Sequence, residues 1–238
     1  MPRHTFAHVP GLIFRPDHFA PAVCARTVAH ALRLYDQLEA AVVGGAAPET
    51  AHIPQPAYVR SAAHNLQSEE RFVRVALEEA GGRTIRSEYF PRYGEDGHAL
   101  AYFQRNANLP DFVPAELLPG VLEVIESEGL VAPGADLTWK LTANFYRRTN
   151  GAVAGFPFHV DIPSNGIVTM ILNVQRAARF EIAKGEVCEA LDMPVGALLI
   201  LSGKSRYEWM HRVLPSAEPP TNHGGHAVER VSLVLGYQ

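Results

Sequence analysis

From residue 138 onward the chain is written in short apolar or alternating runs. These are Thr138 to Arg148, Phe156 to Asp161, Ile167 to Val174, Arg179 to Ala183, Ala197 to Leu201, Tyr207 to Val213 and Val228 to Tyr237. Turn-forming clusters, Pro163-Ser164-Asn165-Gly166, Pro194-Val195-Gly196 and Ser202-Gly203, separate them. Evenly spaced short strands of this kind close into a sandwich or barrel. Helical patterns precede the block instead of alternating with it, which argues against a parallel doubly wound sheet. The expected fold is α+β and mainly β, with a jelly-roll core over 138–238. Residues 1–137 supply helices and a hairpin as support and a possible substrate lid, the whole forming one domain.

The N-terminal part carries the helical spacing. Val28, Leu32, Tyr35 and Leu38 make one apolar stripe within Val23 to Val43, which Gly44-Gly45 terminates. Residues 46–66, with Pro48, Pro54 and Pro56, read as a loop. Ser68 caps a predicted second helix, with Glu69 and Glu70 in its first turn and Gly81-Gly82 at its end. Thr84 to Tyr93 and Ala99 to Gln104 read as strands of a hairpin turning at Gly94-Glu95-Asp96-Gly97. A third helix runs from Pro114 or Pro119 to Glu128, before Gly129.

Composition narrows the function. Lys and Arg number 21 against 25 acidic residues, so any contact with nucleic acid must be local and not a general basic coat. Two cysteines, Cys24 and Cys188, provide neither a disulfide scaffold nor a structural zinc site. Cys188 reads as a small core hydrophobe. No apolar run approaches membrane-spanning length and the N-terminus lacks a signal-like core. The expectation is a soluble, intracellular, cytoplasmic monomer.

The sharpest chemical signal is Phe158-His159-Val160-Asp161. On a strand the imidazole and carboxylate of an i, i+2 pair project to one face. They make two thirds of the facial triad that holds non-haem Fe(II), which a distant histidine would complete. A histidine followed by an aspartate capping the turn at Pro163 fits the same pattern. His211, in the stretch Ser205-Arg206-Tyr207-Glu208-Trp209-Met210-His211, is a core histidine or the third ligand. Arg230 opens an alternating apolar strand, where a guanidinium needs an anion. That anion is Glu229 or another acid at the rim, or a bound dicarboxylate gripped bidentately. His4 with His8, and His223 with His226, read as exposed pairs without a third ligand.

The order Asn144-Phe145-Tyr146, then His159-Val160-Asp161, then Gly203-Lys204-Ser205-Arg206-Tyr207-Glu208-Trp209-Met210-His211, then Arg230-Val231-Ser232-Leu233 resembles the AlkB-like branch of the 2-oxoglutarate/Fe(II)-dependent dioxygenases. The resemblance is strong from Thr138 to the end. It is weaker over Gly11 to Phe14, the helix after it, and Leu109-Pro110 with Pro114 to Ile125. It implies a double-stranded β-helix core. His159, Asp161 and His211 would ligate Fe(II), Asn144 and Tyr146 would contact 2-oxoglutarate, and Arg230 would pair with its distal carboxylate. It also implies oxidative decarboxylation of that co-substrate with O2 and hydroxylation of a C–H bond. On an N-methyl group the hydroxylated product releases formaldehyde. The family's second arginine, six residues on, is replaced by Gly236, with Arg212 or Arg179 as candidate substitutes.

The resemblance implies demethylation of an alkylated nucleic acid. An oxygenase acting on a protein or small molecule, and a metal-binding module without turnover, are the alternatives. Tyr89, Phe90, Tyr93, Tyr102 and Phe103 either stack on a flipped base or pack the hairpin onto the core. Arg83, Arg86, Arg92, Arg105, Arg147 and Arg148 could touch phosphates.

Overall fold

The computed structural model describes residues 4–43, 49–52, 71–79, 83–89, 98–105, 117–137, 139–149, 151–161, 165–220 and 227–237. In chain order the elements are β1 (His4–Thr5), β2 (Leu12–Arg15), α1 (Pro21–Val43), β3 (Glu49–His52), β4 (Arg71–Glu79), β5 (Arg83–Tyr89) and β6 (His98–Arg105). They continue with α2 (Leu117–Ser127), β7 (Trp139–Thr149), β8 (Ala152–Val153), β9 (Phe156–His159), β10 (Val168–Asn173) and β11 (Ala178–Lys184). The last are β12 (Val187–Met193), β13 (Ala197–Ser202), α3 (Gly203–Tyr207), β14 (Met210–Val213) and β15 (Val228–Tyr237).

Among the described residues these strands form two antiparallel sheets. The major sheet runs β1-β2-β13-β10-β15-β7-β6-β5-β4-β3, with β8 beside β7, and the minor sheet runs β12-β11-β14-β9. Sequence-distant strands are spatial neighbours: β10 lies between β13 and β15, and β14 between β11 and β9. This is the curled α+β architecture of a double-stranded β-helix, as the spacing of short strands predicts.

Period-two alternation divides the major sheet into two faces. Leu141, Ala143 and Phe145 of β7, Met170 and Leu172 of β10, and Val231, Leu233 and Leu235 of β15 pack into one core with the helices. From α1 that core takes Cys24, Ala31 and Tyr35, and from α2 Leu117, Val121, Val124 and Ile125. The buried line of α1 is therefore Cys24, Thr27, Ala31 and Tyr35, while Val28 and Leu32 lie at its edge. Thr27 is accommodated because its hydroxyl donates to the Val23 carbonyl at 2.8 Å. α2 stops where Gly129 takes φ +66°.

The opposite face looks into the space between the sheets. There Ile171, Leu199 and Leu201 meet Phe180, Ile182, Leu191, Met193 and Val213 of the minor sheet. Further inward positions, Thr142, Asn144, Tyr146, Thr169, Asn173, Arg230 and Ser232, are polar and buried. Both sheets keep their hydrophobic cement at one end and a polar chamber at the other.

Four expectations are corrected. The helix predicted after Ser68 is the strand β4, paired over seven positions from Val73↔Tyr89 to Glu79↔Arg83. Phe72, Val73 and Val75 favour a strand once a partner strand is present, and that pairing overrides local helical spacing. The loop predicted over 46–66 contains β3, paired with β4 from Glu49↔Arg74 to His52↔Arg71. The strand predicted from Tyr207 begins at Met210, because Gly203 at φ +51° opens α3 through Tyr207. Cys188 is exposed: edge strand β12 turns Leu191 and Met193 inward and Cys188 outward.

The hairpin strands are confirmed as β5 and β6, with Glu88↔Tyr102 in register. The turn at 94–97, Tyr93, Phe90, Arg92 and the pair His223/His226 lie outside the described residues, as does Leu109-Pro110. No helix among the described residues is long and apolar enough to cross a membrane.

Candidate metal centre

His159 closes β9 and His211 lies on the adjacent β14 of the minor sheet, while Asp161 lies two residues past the end of β9, where the predicted strand through Asp161 has already stopped. β9 pairs antiparallel with β14, and His159 stands directly opposite His211 in that register. Their rings lie 4.2 Å apart between centroids, and Asp161 follows two residues beyond His159. The ligand atoms of His159, Asp161 and His211 all fall within 4.8 Å of one another. His159 Nε2 is 3.6 Å from Asp161 Oδ1, and His211 Nε2 is 3.9 Å from Asp161 Oδ2. Asp161 and His211 are buried and His159 half-buried.

Hydrogen bonding sets the tautomer of His159. Its Nδ1 lies 2.9 Å from the Pro157 carbonyl, which can only accept, so Nδ1 carries the proton. In the neutral ring the Nε2 lone pair then faces the carboxylate. Two aromatic neighbours fix the rings: Phe156 meets His159 edge-on at 4.4 Å and Phe180 stacks on His211 at 5.5 Å.

Burial, followed by the adjacent His159 ring, pushes the His211 pKa down to about 3. Burial alone would raise the pKa of Asp161, but His211, His159 and Arg206 hold its carboxyl well below the usual carboxylate range. The result is a neutral imidazole beside an ionised carboxylate. Among the described residues Asp161 Oδ2 has no hydrogen-bond partner although it is buried. A buried carboxylate oxygen facing imidazole nitrogens and lacking a proton donor asks for a cation. Two nitrogens and one carboxylate oxygen form the donor set of a facial triad for divalent iron. The residues fit the ion.

The major sheet contributes a second group. Arg230 faces Tyr146 in the β15–β7 register, with Ser232 facing Asn144. The Arg230 guanidinium carbon lies 4.0 Å from the Tyr146 ring centroid, a cation–π contact. Arg230 Nε donates to Asn173 Oδ1 at 3.4 Å. Asn173 is aimed by its own amide, which donates to the carbonyls of Arg176 at 2.7 Å and Met193 at 2.9 Å. Burial lowers the Arg230 pKa, opposed by Tyr146.

Glu229 is not the partner of Arg230. Arg148 grips it with Nε at 2.7 Å and Nη2 at 3.1 Å, and Arg176 Nη2 donates to it at 2.8 Å. Arg230 follows the regular alternation of Ser232 and faces inward opposite Tyr146, while Glu229, at the register shift between Val228 and Arg230, meets the two arginines. Among the described residues no carboxylate lies within salt-bridge distance of Arg230, which is 4% exposed. Arg230, with no carboxylate partner among the described residues, thus lies on the inward side of the major sheet, and the His-Asp-His cluster lies on the minor sheet. Phe156, whose ring meets His159 edge-on, packs against the small cluster of Tyr146, Val153 and Ala154.

The proposed substitutes for the missing second arginine are engaged elsewhere. Arg179 pairs with Asp192 at 2.6 Å and Arg212 with Glu181 at 2.6 Å. Sequence reasoning missed Asn173, Ser232 and Arg206 as parts of the site. A lone Asn in the apolar run Val168 to Val174 and a Ser two residues after Arg230 were the available signals. Of the hairpin tyrosines, Tyr102 is registered opposite Thr142, whereas Tyr89 is registered opposite Ala101 in the neighbouring row.

No protein-family model matches the chain, and no curated protein matches it. Solved structures resemble it at low identity. A Pseudomonas putida prolyl-4-hydroxylase aligns over 96% of this chain and 92% of its own, at 13% identity and a TM-score of 0.45. The structure of OsALKBH1 aligns over 95% and 98%, at 13% identity and a TM-score of 0.47. A complex of JOX2 with 2OG, Fe and JA aligns over 96% and 67%, also at 13% and 0.47. Such likeness concerns the fold, and none of the three carries the functional reading, which rests on the side chains of the site.

Proposed function

We propose that this protein is a 2-oxoglutarate- and Fe(II)-dependent oxygenase that hydroxylates a C–H bond. The carrying observation is the pairing, in one chamber, of a His-Asp-His cluster with a buried arginine that has no carboxylate among the described residues. His159, Asp161 and His211 would hold the iron. Arg230 would grip the distal carboxylate of 2-oxoglutarate, with Tyr146, Asn144 and Ser232 lining the same end. A dicarboxylate is the ligand that answers both groups: one end chelates a cation and the other neutralises a guanidinium. Bound there, Fe(II) supplies O2 activation coupled to decarboxylation of 2-oxoglutarate, giving succinate, CO2 and a hydroxylated substrate. The chain's own groups bind, orient and keep water from the co-substrate; the site needs no protein nucleophile.

The AlkB-like assignment and nucleic-acid demethylation rest on motif resemblance. A protein or small-molecule substrate is the better supported reading here. Arg148, a candidate phosphate contact, is held by Glu229 and by the carbonyls of Gly151 and Glu218, and Arg179 and Arg212 are paired with acids. The lid role of residues 1–137, the single-domain organisation and the monomeric state belong to the same proposal, as does Tyr102 over Tyr89 as a substrate contact.

Anaerobic addition of Fe(II) and 2-oxoglutarate should raise a visible metal-to-ligand charge-transfer band, and O2 should then release succinate. A band without succinate supports a binding module instead. No band, with Asp161→Ala binding metal as the parent does, overturns the proposal. A succinate-release screen over methylated oligonucleotides, peptides and metabolites identifies the substrate class.

A further inference from the structure

β15 places Gly236 where the resemblance implies a second arginine, and the reason is steric. A Cβ on Gly236 would stand 1.4 Å from the Asn165 carbonyl oxygen. Backbone beyond Asp161 therefore fills the volume from which an arginine on that strand would start. The cation beside Asp161 comes from another element. Arg206 of α3 is 1% exposed, and its Nη1 donates to the Asp161 backbone carbonyl at 2.9 Å.

α3 is tied down on both sides. The Ser205 hydroxyl accepts from the Ser202 N–H at 3.0 Å and donates to the Ser202 carbonyl at 2.9 Å. The N–H groups of Ser205 and Ser202 donate to the carbonyls of Pro10 and Gly11, both at 3.0 Å. Arg206 thus projects from a short helix whose start is anchored to the chain just before β2.

The geometry points to Arg206 as a positioning residue for the metal centre, fixing Asp161 through its carbonyl oxygen and leaving the carboxylate to the imidazoles and the ion. This rests on the metal-centre reading. An arginine gripping the carboxylate itself would compete with the ion for its lone pairs; a grip on the carbonyl does not. The guanidinium charge favours an ionised Asp161 but repels a divalent cation, so the hydrogen bond is what serves the ligand. Partners that orient metal ligands typically carry about 10–100-fold in metal affinity.

The test uses Co(II) alone, titrated into the metal-free full chain and followed by its visible absorption, beside urea unfolding of the apo forms. R206M should bind Co(II) about 10–100-fold more weakly, with an altered spectrum, under conditions where it is fully folded. R206K, which keeps one donor, should recover part of that loss. Parent-like affinity and spectrum in both variants would overturn the assignment, as would an affinity loss that only tracks unfolded protein. Should R206M fail to fold, R206K and S205A carry the test. S205A releases the start of α3 and should weaken Co(II) binding several-fold, and parent-like binding in both overturns the assignment. A parent that binds no Co(II) sinks the metal-centre reading itself, a separate result read on a separate protein.

Discussion

The two faces of β7, β10 and β15 make opposite use of the same backbone. Toward the helices these strands present Leu141, Ala143, Phe145, Met170, Leu172, Val231, Leu233 and Leu235, apolar throughout. Toward the minor sheet they present, beside Ile171 and Val234, the polar and equally buried side chains of Thr142, Asn144, Tyr146, Asn173, Arg230 and Ser232. Stability and chemistry are thereby interleaved residue by residue. The helix-side core holds the strands in place, and the chamber side carries groups that burial penalises until a ligand answers them. Substitutions on one face should move unfolding free energy and on the other ligand affinity, with little crossing.

The sharpest way to break this division is at the ligands. Asp161→Ala should abolish the charge-transfer band and succinate release, while its urea midpoint stays near that of the metal-free parent. Unfolding of the variant would mean the cluster is structural. Next in size, Phe145→Ala on the helix side should cost about 3–5 kcal/mol in urea unfolding. Its folded form should keep the parent's 2-oxoglutarate affinity, and a large loss of that affinity would erase the distinction between faces.

Arg230→Ala should weaken 2-oxoglutarate binding by about 2–5 kcal/mol, measured by titration with Fe(II) present. Metal affinity should remain close to that of the parent; equal loss of both would make Arg230 a structural residue. Glu229→Gln should act in the same direction but more weakly, because it loosens the grip of Arg148 and Arg176 on the strand beside Arg230 without removing the guanidinium.

A last effect is electrostatic. His211 has a folded pKa of about 3, below its ordinary value of 6.5. Its neutral form therefore contributes fully to stability above 6.5, and that contribution is lost progressively as pH falls toward 3. Asp161, whose pKa is also lowered, adds to the loss only below its ordinary 3.8. Metal-free His211→Phe should show a shallower decline in urea stability between pH 6.5 and 4 than the parent, and equal slopes would contradict the burial of a neutral ring.

Much of this was legible beforehand. Alternation within Thr138 to Arg148 and Val228 to Tyr237 announced strands with two distinct faces, and the i, i+2 spacing of His159 and Asp161 placed both on one side. The β4 strand was not legible, because Arg71 to Glu79 satisfies a helical stripe as well as a strand until β5 pairs with it. Nor was the fate of Glu229: adjacent to Arg230 in sequence, it is the nearest acid, yet Arg148 and Arg176, distant in sequence, take it.

The sequence by itself determined the periodicities, the identity of the donor atoms and the order in which they occur, because these are local properties of the chain. The tertiary structure alone decided that His159 stands opposite His211, that Asn165 closes the space over Gly236, and that Arg206 reaches Asp161. Each depends on strands or turns far apart in sequence coming within a few ångströms, and strand register and close packing, which no local pattern encodes, set those approaches.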